Sequence, residues 1–216
     1  MGVLEDTRIS IDLGPAQDIV DAEEEDDNSQ DAVGPSVAAR AQAALKFLPP
    51  KVRCLNVNVQ AQQQSLWCWL AVATTIERYF EPSSTLTQCQ LANTMLSQSK
   101  CCAQPSSAAC NQAGDTSAAL QQVGHFQSNT TGSLTFFQLK LEIGFAQDPI
   151  VVRIKWGNAA VGHAVILSGY LTDSEGDHWV VVDDPGAGTT ELWTYDEFRT
   201  AYKGNGTWDI TRRTQN

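Results

Sequence analysis

The order of residue types along the chain predicts an α+β domain, with a helical N-terminal part and an antiparallel β-sheet in the C-terminal part. Two observations carry this. Residues 66–80 (LWCWLAVATTIERYF) place apolar side chains at 66, 69, 70, 73, 76 and 80, the spacing of one buried helical face. After Pro149 the character changes: 150–156 (IVVRIKW), 164–170 (AVILSGY) and 179–183 (WVVVD) are β-branched and aromatic runs separated by turns bearing Gly and Asp. Between these parts, 85–145 mix Cys, Gln, Ser and Ala, with helical stretches expected near 117–123 and 136–143. Asp196 and Glu197 read as the acidic first turn of a later helix.

The 216 residues carry a formal charge of −11, and its distribution divides the chain. Residues 1–36 hold eleven acids against one base, Arg8, whereas 37–216 are close to neutral. The run DAEEEDD at 21–27 repels itself and buries nothing, so 1–50 is expected to be an acidic, disordered leader or pro-segment ahead of a domain over 51–216. Within the leader, 37–47 has the composition of a short helix that Pro49-Pro50 stops. The start MGVLED lacks the basic and apolar regions of a secretory signal. No apolar run approaches the ~18 residues a spanning helix needs, which argues against a membrane protein. A near-neutral body without a basic patch argues against nucleic acid as a partner.

The chemistry begins at Cys68. Residues 60–69 read QAQQQSLWCW, so Cys68 lies at the start of the predicted helix, where unpaired N–H groups and the helix dipole favour a thiolate. A tetrahedral intermediate formed there needs donors for its oxyanion. The Cys68 N–H is one, and a side-chain amide from Gln62, Gln63 or Gln64 is a candidate for the other. A lone cysteine is more often a buried core thiol. Two further features shift the balance: His163 opens the strongest apolar strand, and the next strand ends at Asp183-Asp184-Pro185. A cysteine at a helix start, a distant histidine and then a carboxylate form the nucleophile, base and orienting group of covalent catalysis. His125 and His178 have no acid or cysteine at meaningful spacing, and the six tryptophans are expected to pack the core.

The motifs Q-x5-C-W (Gln62, Cys68, Trp69), G-H-A-V (162–165) and V-x-D-P (182–185) resemble those of papain-like cysteine peptidases. The resemblance is to the bacterial effector-protease branch, with bacteriocin-leader peptidases as relatives. It extends through WCWLAVATTIERYF, TQCQLAN at 87–93, the Cys101-Cys102 pair, Cys110-Asn111, VVRIKW and GHAVILSGY, in that order. It implies a papain-like fold, Cys68 as nucleophile, His163 as general base and then acid, Gln62 as oxyanion donor, and Asp184, which precedes the proline, as the orienting carboxylate. Strand geometry offers an independent check. If 163–170 and 178–184 form a hairpin, an even-numbered loop puts Asp184 on the face of His163 and an odd-numbered one selects Asp183. Two- and four-residue loops are common and lean toward Asp184; a bulge reverses the parity.

Five cysteines remain. No C-x2-C spacing supports zinc, and no glycine-rich phosphate loop follows a strand, so neither metal nor cofactor is expected. Two disulfides are expected among Cys89, Cys101, Cys102 and Cys110, in any of three pairings, with Cys54 left over. Disulfides imply an oxidising compartment, reached by a route without a cleavable signal; otherwise the protein is cytosolic and its thiols stay reduced. The function expected is a cysteine endopeptidase acting on a protein or peptide, as a translocated effector or toxin. A catalytically silent peptide-binding domain, and an acyltransferase or deamidase using the same residues, are the alternatives. The residues carry no signal of oligomeric state.

Overall fold

Helix α1 (Cys68–Phe80) is the axis of the N-terminal part. A computed structural model describes residues 51–159 and 162–216. The expected leader over 1–50, with its helix over 37–47, lies outside them. The sequence led us to expect one buried face on α1, yet every residue from Trp69 to Ile76 is buried. The small Ala71, Ala73, Thr74 and Thr75 let neighbouring elements close on the flank that Leu70 and Ile76 do not fill. Thr74 tolerates this because its hydroxyl donates to the Leu70 carbonyl at 3.0 Å.

Two short helices pack on α1: α2 (Gln88–Met95), opened by a Thr87–Gln90 capping box, and α3 (Thr116–Gln122), capped by Asp115. Between them, disulfides Cys89–Cys102 and Cys101–Cys110 staple the loop-rich segment, leaving Cys54 and Cys68 free. The structure thus selects one of the three possible pairings. Bonds of this kind persist in oxidising environments.

The C-terminal part is an antiparallel sheet of seven strands: β1 (Val52–Cys54), β2 (Phe126–Thr131), β3 (Ile150–Trp156), β4 (His163–Thr172), β5 (His178–Asp184), β6 (Thr189–Thr194) and β7 (Gly206–Thr214). Their order is β2-β7-β3-β4-β5-β6, with β1 paired to the far end of β4. Helix α4 (Phe136–Lys140) continues as a π-helical turn, Leu141–Ala146, and α5 (Tyr195–Ala201) starts at a Thr194 cap. Among the described residues no helix is long and apolar enough to cross a membrane.

Both faces of the central strands are covered. Val151, Ala164 and Ile166 join the core around α1, while Val152, Ile154, Val165 and Leu167 join a second core with Phe198, Tyr202 and Trp208. That is why 150–152 and 164–167 read as continuous apolar runs rather than alternating ones.

The β4–β5 hairpin departs from expectation in two ways. Thr172 pairs with His178, so the loop, 173–177, has an odd number of residues, the parity that selects Asp183. A register shift at Ser168 then reverses that parity: Tyr170 pairs with Val180, but Leu167 pairs with Val182 and Ile166 with Asp183. Val182 and Asp184 therefore share the face of Leu167, Val165 and His163. Gly169 makes the bulge possible, since a Cβ there would meet the Arg53 carbonyl oxygen at 2.8 Å and Val181 Cγ2 at 2.9 Å.

Candidate active site

Cys68 is the first residue of α1, and its N-cap, Trp67, offers the helix no side-chain cap. The Cys68 N–H has no hydrogen-bond partner among the described residues. The loop before it is braced from three sides. Gln62 N–H donates to the Pro185 carbonyl at 2.8 Å, beside the end of β5. The buried Gln88 side chain accepts from Gln63 N–H and donates to the Ala61 carbonyl, both at 2.9 Å. From the disulfide segment, the Cys110 carbonyl accepts from Trp67 Nε1 at 2.8 Å, Asn111 Oδ1 from Leu66 N–H at 3.1 Å, and the Gln112 carbonyl from Trp69 Nε1 at 3.0 Å. Gly114 lies flat on the Trp69 ring, where a Cβ would stand 2.5 Å from Cε2.

Opposite Cys68, β4 begins at His163, whose Nε2 lies 2.6 Å from Asp184 Oδ1. With Nε2 engaged there, Nδ1 is the ring nitrogen left to face the Cys68 sulfur, and the two groups are close enough to shift each other's ionisation. Asp184 is 3% exposed and receives three more donors: Gly186 N–H at 2.8 Å on Oδ1, Tyr202 Oη at 2.9 Å and Lys203 Nζ at 2.6 Å on Oδ2. Lys203 also reaches Glu191 at 3.2 Å.

These contacts set the charges. Burial disfavours ionised Asp184, but the His163 and Lys203 hydrogen bonds, the imidazole charge and Gly186 N–H hold its carboxyl far below the ordinary range. Burial likewise disfavours imidazolium, yet the bonds to Asp184 and Cys68, and their charges, raise His163 to about 9. The Cys68 thiol, pushed up by burial, is pulled down further by the His163 hydrogen bond and charge, helped by the N–H groups of Ala164 and Trp69. Both shifts favour the thiolate–imidazolium form of the pair.

The structure brings Cys68, His163 and Asp184 together and leaves Asp183 out. The Asp183 carboxyl faces away, accepts from the Thr190 hydroxyl on β6, and is pushed up by its burial. Gln62 lies near the site, but both Nε2 hydrogens are engaged, by the Gln64 carbonyl at 2.9 Å and the Ser65 carbonyl at 3.0 Å. His178 sits at the opposite end of the hairpin, stacked on Phe136 at 3.9 Å. His125, for which no acidic partner was expected, is buried with Nε2 3.1 Å from Glu77, far along α1. Tyr202 and Lys203 escaped sequence reading because only the return of the chain after α5 brings them to Asp184. A cleft of about 420 Å³ opens beside the pair, its walls including Gly114, Asp115, Arg153 and Arg212.

Residues 54–216 match the family described as the Peptidase_C39 like family. No curated protein matches the chain. Among solved structures, the proform of the Amb a 11 cysteine protease, a ragweed pollen allergen, aligns with a TM-score of 0.49 and 11% identity over 78% of this chain and 60% of its own. Bromelain from Ananas comosus in complex with the E64 inhibitor gives 0.43 and 15%, over 77% of this chain and 100% of its own. A recombinant stem bromelain precursor gives 0.44 and 13%, over 78% and 71%. The chain thus spans less than two thirds of the Amb a 11 proform, and these likenesses are loose. The family match covers most of the chain in one stretch, and by it the chain belongs to the Peptidase_C39 like family.

Proposed function

We propose that the protein is a cysteine endopeptidase that cleaves a protein or peptide through a thioester on Cys68. The observation that carries this reading is the placement of His163 between the Cys68 sulfur and a buried carboxylate held by four donors. The Cys68 thiolate attacks the scissile carbonyl carbon, and the carbonyl electron pair moves to oxygen. The unpaired Cys68 N–H stabilises that oxyanion. Gln62 is the candidate second donor, and it serves only if one Nε2 hydrogen leaves the Gln64 or Ser65 carbonyl. The oxyanion collapses, the C–N bond breaks, and the His163 imidazolium gives its proton to the departing amine. Neutral His163 then takes a proton from water as it attacks the thioester; the acid is released and the ion pair returns. Asp184 keeps the imidazole oriented throughout.

The two disulfides support action in an oxidising compartment after export, as expected of a translocated effector or toxin. Residues 1–50 are proposed to be a leader separable from the catalytic domain over 51–216.

The test is digestion of a proteome-derived peptide mixture in heavy-oxygen water, read by mass spectrometry. New C-termini carrying heavy oxygen, absent with Cys68→Ala, are expected. Deamidated glutamines, or carbonyls transferred to an added amine, would contradict hydrolysis and assign the same thioester to the other chemistries. Peptides retained but uncut would leave a binding domain.

A further inference from the structure

The mechanism leaves one buried cation of the cleft without work. Arg212, on β7, lines the cleft with Cys68 and His163 and is only 5% exposed. Its Nε donates to Ser117 Oγ at 2.9 Å, but its Nη1 has no hydrogen-bond partner among the described residues. No carboxylate among them lies within ion-pair distance of it either. The neighbouring Arg153 differs: Asp209 pairs with both its Nε and its Nη2. Asp115 shares the cleft wall, but its Oδ1 caps α3 through Ser117 N–H at 2.8 Å. Burying a charged donor with an unfilled N–H is costly, so such groups are normally paired.

Resting on the peptidase reading, we infer that Arg212 determines specificity and that the cleft takes substrates carrying an aspartate or glutamate side chain beside the scissile bond. A substrate carboxylate entering the cleft meets the Arg212 guanidinium and supplies the missing acceptor once Nη1 turns out of its buried position, with the planar geometry that guanidinium favours. Asp115 works against it at longer range, and a substrate lysine meets Arg153 and Arg212 together.

Internally quenched peptides varied by Glu, Gln, Leu or Lys at each position flanking the cut test this through kcat/KM. Glu should exceed Gln by about tenfold or more at one position, as for a hydrogen bond to a charged group. Arg212→Gln should bring that ratio near one, and Arg212→Lys should recover part of it. Asp115→Asn, which keeps a helix cap, should raise it. Peptides cut with a Glu/Gln ratio near one in the wild type overturn the inference. So does Arg212→Gln lowering Glu and Gln peptides alike, because a structural role would do that. If no peptide is cut and Cys68 is inert to a thiol-directed epoxide, the peptidase reading itself falls.

Discussion

Replacing Asp184 by Asn removes the charge behind His163 while keeping the side chain's size. Asp184 accepts two donors at each oxygen, from His163 and Gly186 on one and from Tyr202 and Lys203 on the other. Asparagine has one acceptor oxygen. If that oxygen faces His163, its NH2 confronts the Lys203 ammonium, which can only donate. The rise of His163 from 6.5 to about 9 corresponds to about 3 kcal/mol in favour of imidazolium, at roughly 1.4 kcal/mol per unit. Asp184 and Cys68 share that support. Losing the Asp184 share lowers His163 by about 1–2 units. The proposed mechanism needs thiolate and imidazolium together, so kcat/KM against pH should be bell-shaped, with the wild-type alkaline limb near 9. In Asp184→Asn that limb should move down by about 1–2 units, and kcat/KM just below the wild-type limb should fall roughly 10- to 100-fold. Stability follows the same sign: a raised histidine contributes fully below about pH 6.5 and loses its contribution as pH climbs through about 9. The variant should lose it earlier. Asp183→Asn is the control, because burial already pushes that carboxyl toward its neutral form. An alkaline limb that stays in place in Asp184→Asn, or moves in Asp183→Asn instead, refutes the reasoning.

Gln62→Ala should lower kcat by about 10²–10³, as loss of one oxyanion donor does, while Gln63→Ala and Gln64→Ala stay within several-fold; equal losses would mark a folding role for the segment. Removing Cys101–Cys110 by Cys110→Ser should lower kcat as well as Tm, because Cys110 and Asn111 hold the backbone beside Cys68; a stability loss of about 2–4 kcal/mol with kcat unchanged would contradict that brace. A chain starting at Lys51 should fold with a nearly unchanged Tm; insolubility or a much lower Tm would show that 1–50 belongs to the fold.

The parts of this protein that declared themselves in sequence are those with strong local patterns. α1 and β4 each carry a long apolar stretch, and a cysteine and a histidine open them. β2 (FQSNTT) and β7 (GTWDITRRT) did not, since polar and charged residues occupy strands whose register is set by partners distant in sequence. The choice between Asp183 and Asp184 is instructive. The motif pointed to Asp184, and the structure places Asp184 against His163, but not by the expected even-numbered loop. A five-residue loop and the bulge at Ser168 offset one another, and Gly169 was the only local sign of that bulge. Tyr202, Lys203 and Arg212 were silent because a charge or hydroxyl acquires its role only when the sheet order brings it to the cleft.

The central claim is that Cys68 is held as a thiolate by His163, and the rate of alkylation at each free cysteine tests it most directly. Wild type, Asp184→Asn and His163→Ala are treated with a thiol-directed epoxide across pH, with the labelled residue located by peptide mapping. Cys68 should react well below the ordinary thiol range of about 8–9, more slowly in Asp184→Asn and slowest in His163→Ala. Cys54, whose thiol is pushed up by burial and by Asp183, should stay unlabelled over that span. Labelling of Cys68 and Cys54 at similar rates, both rising only near the ordinary thiol range and indifferent to His163→Ala, would contradict the account.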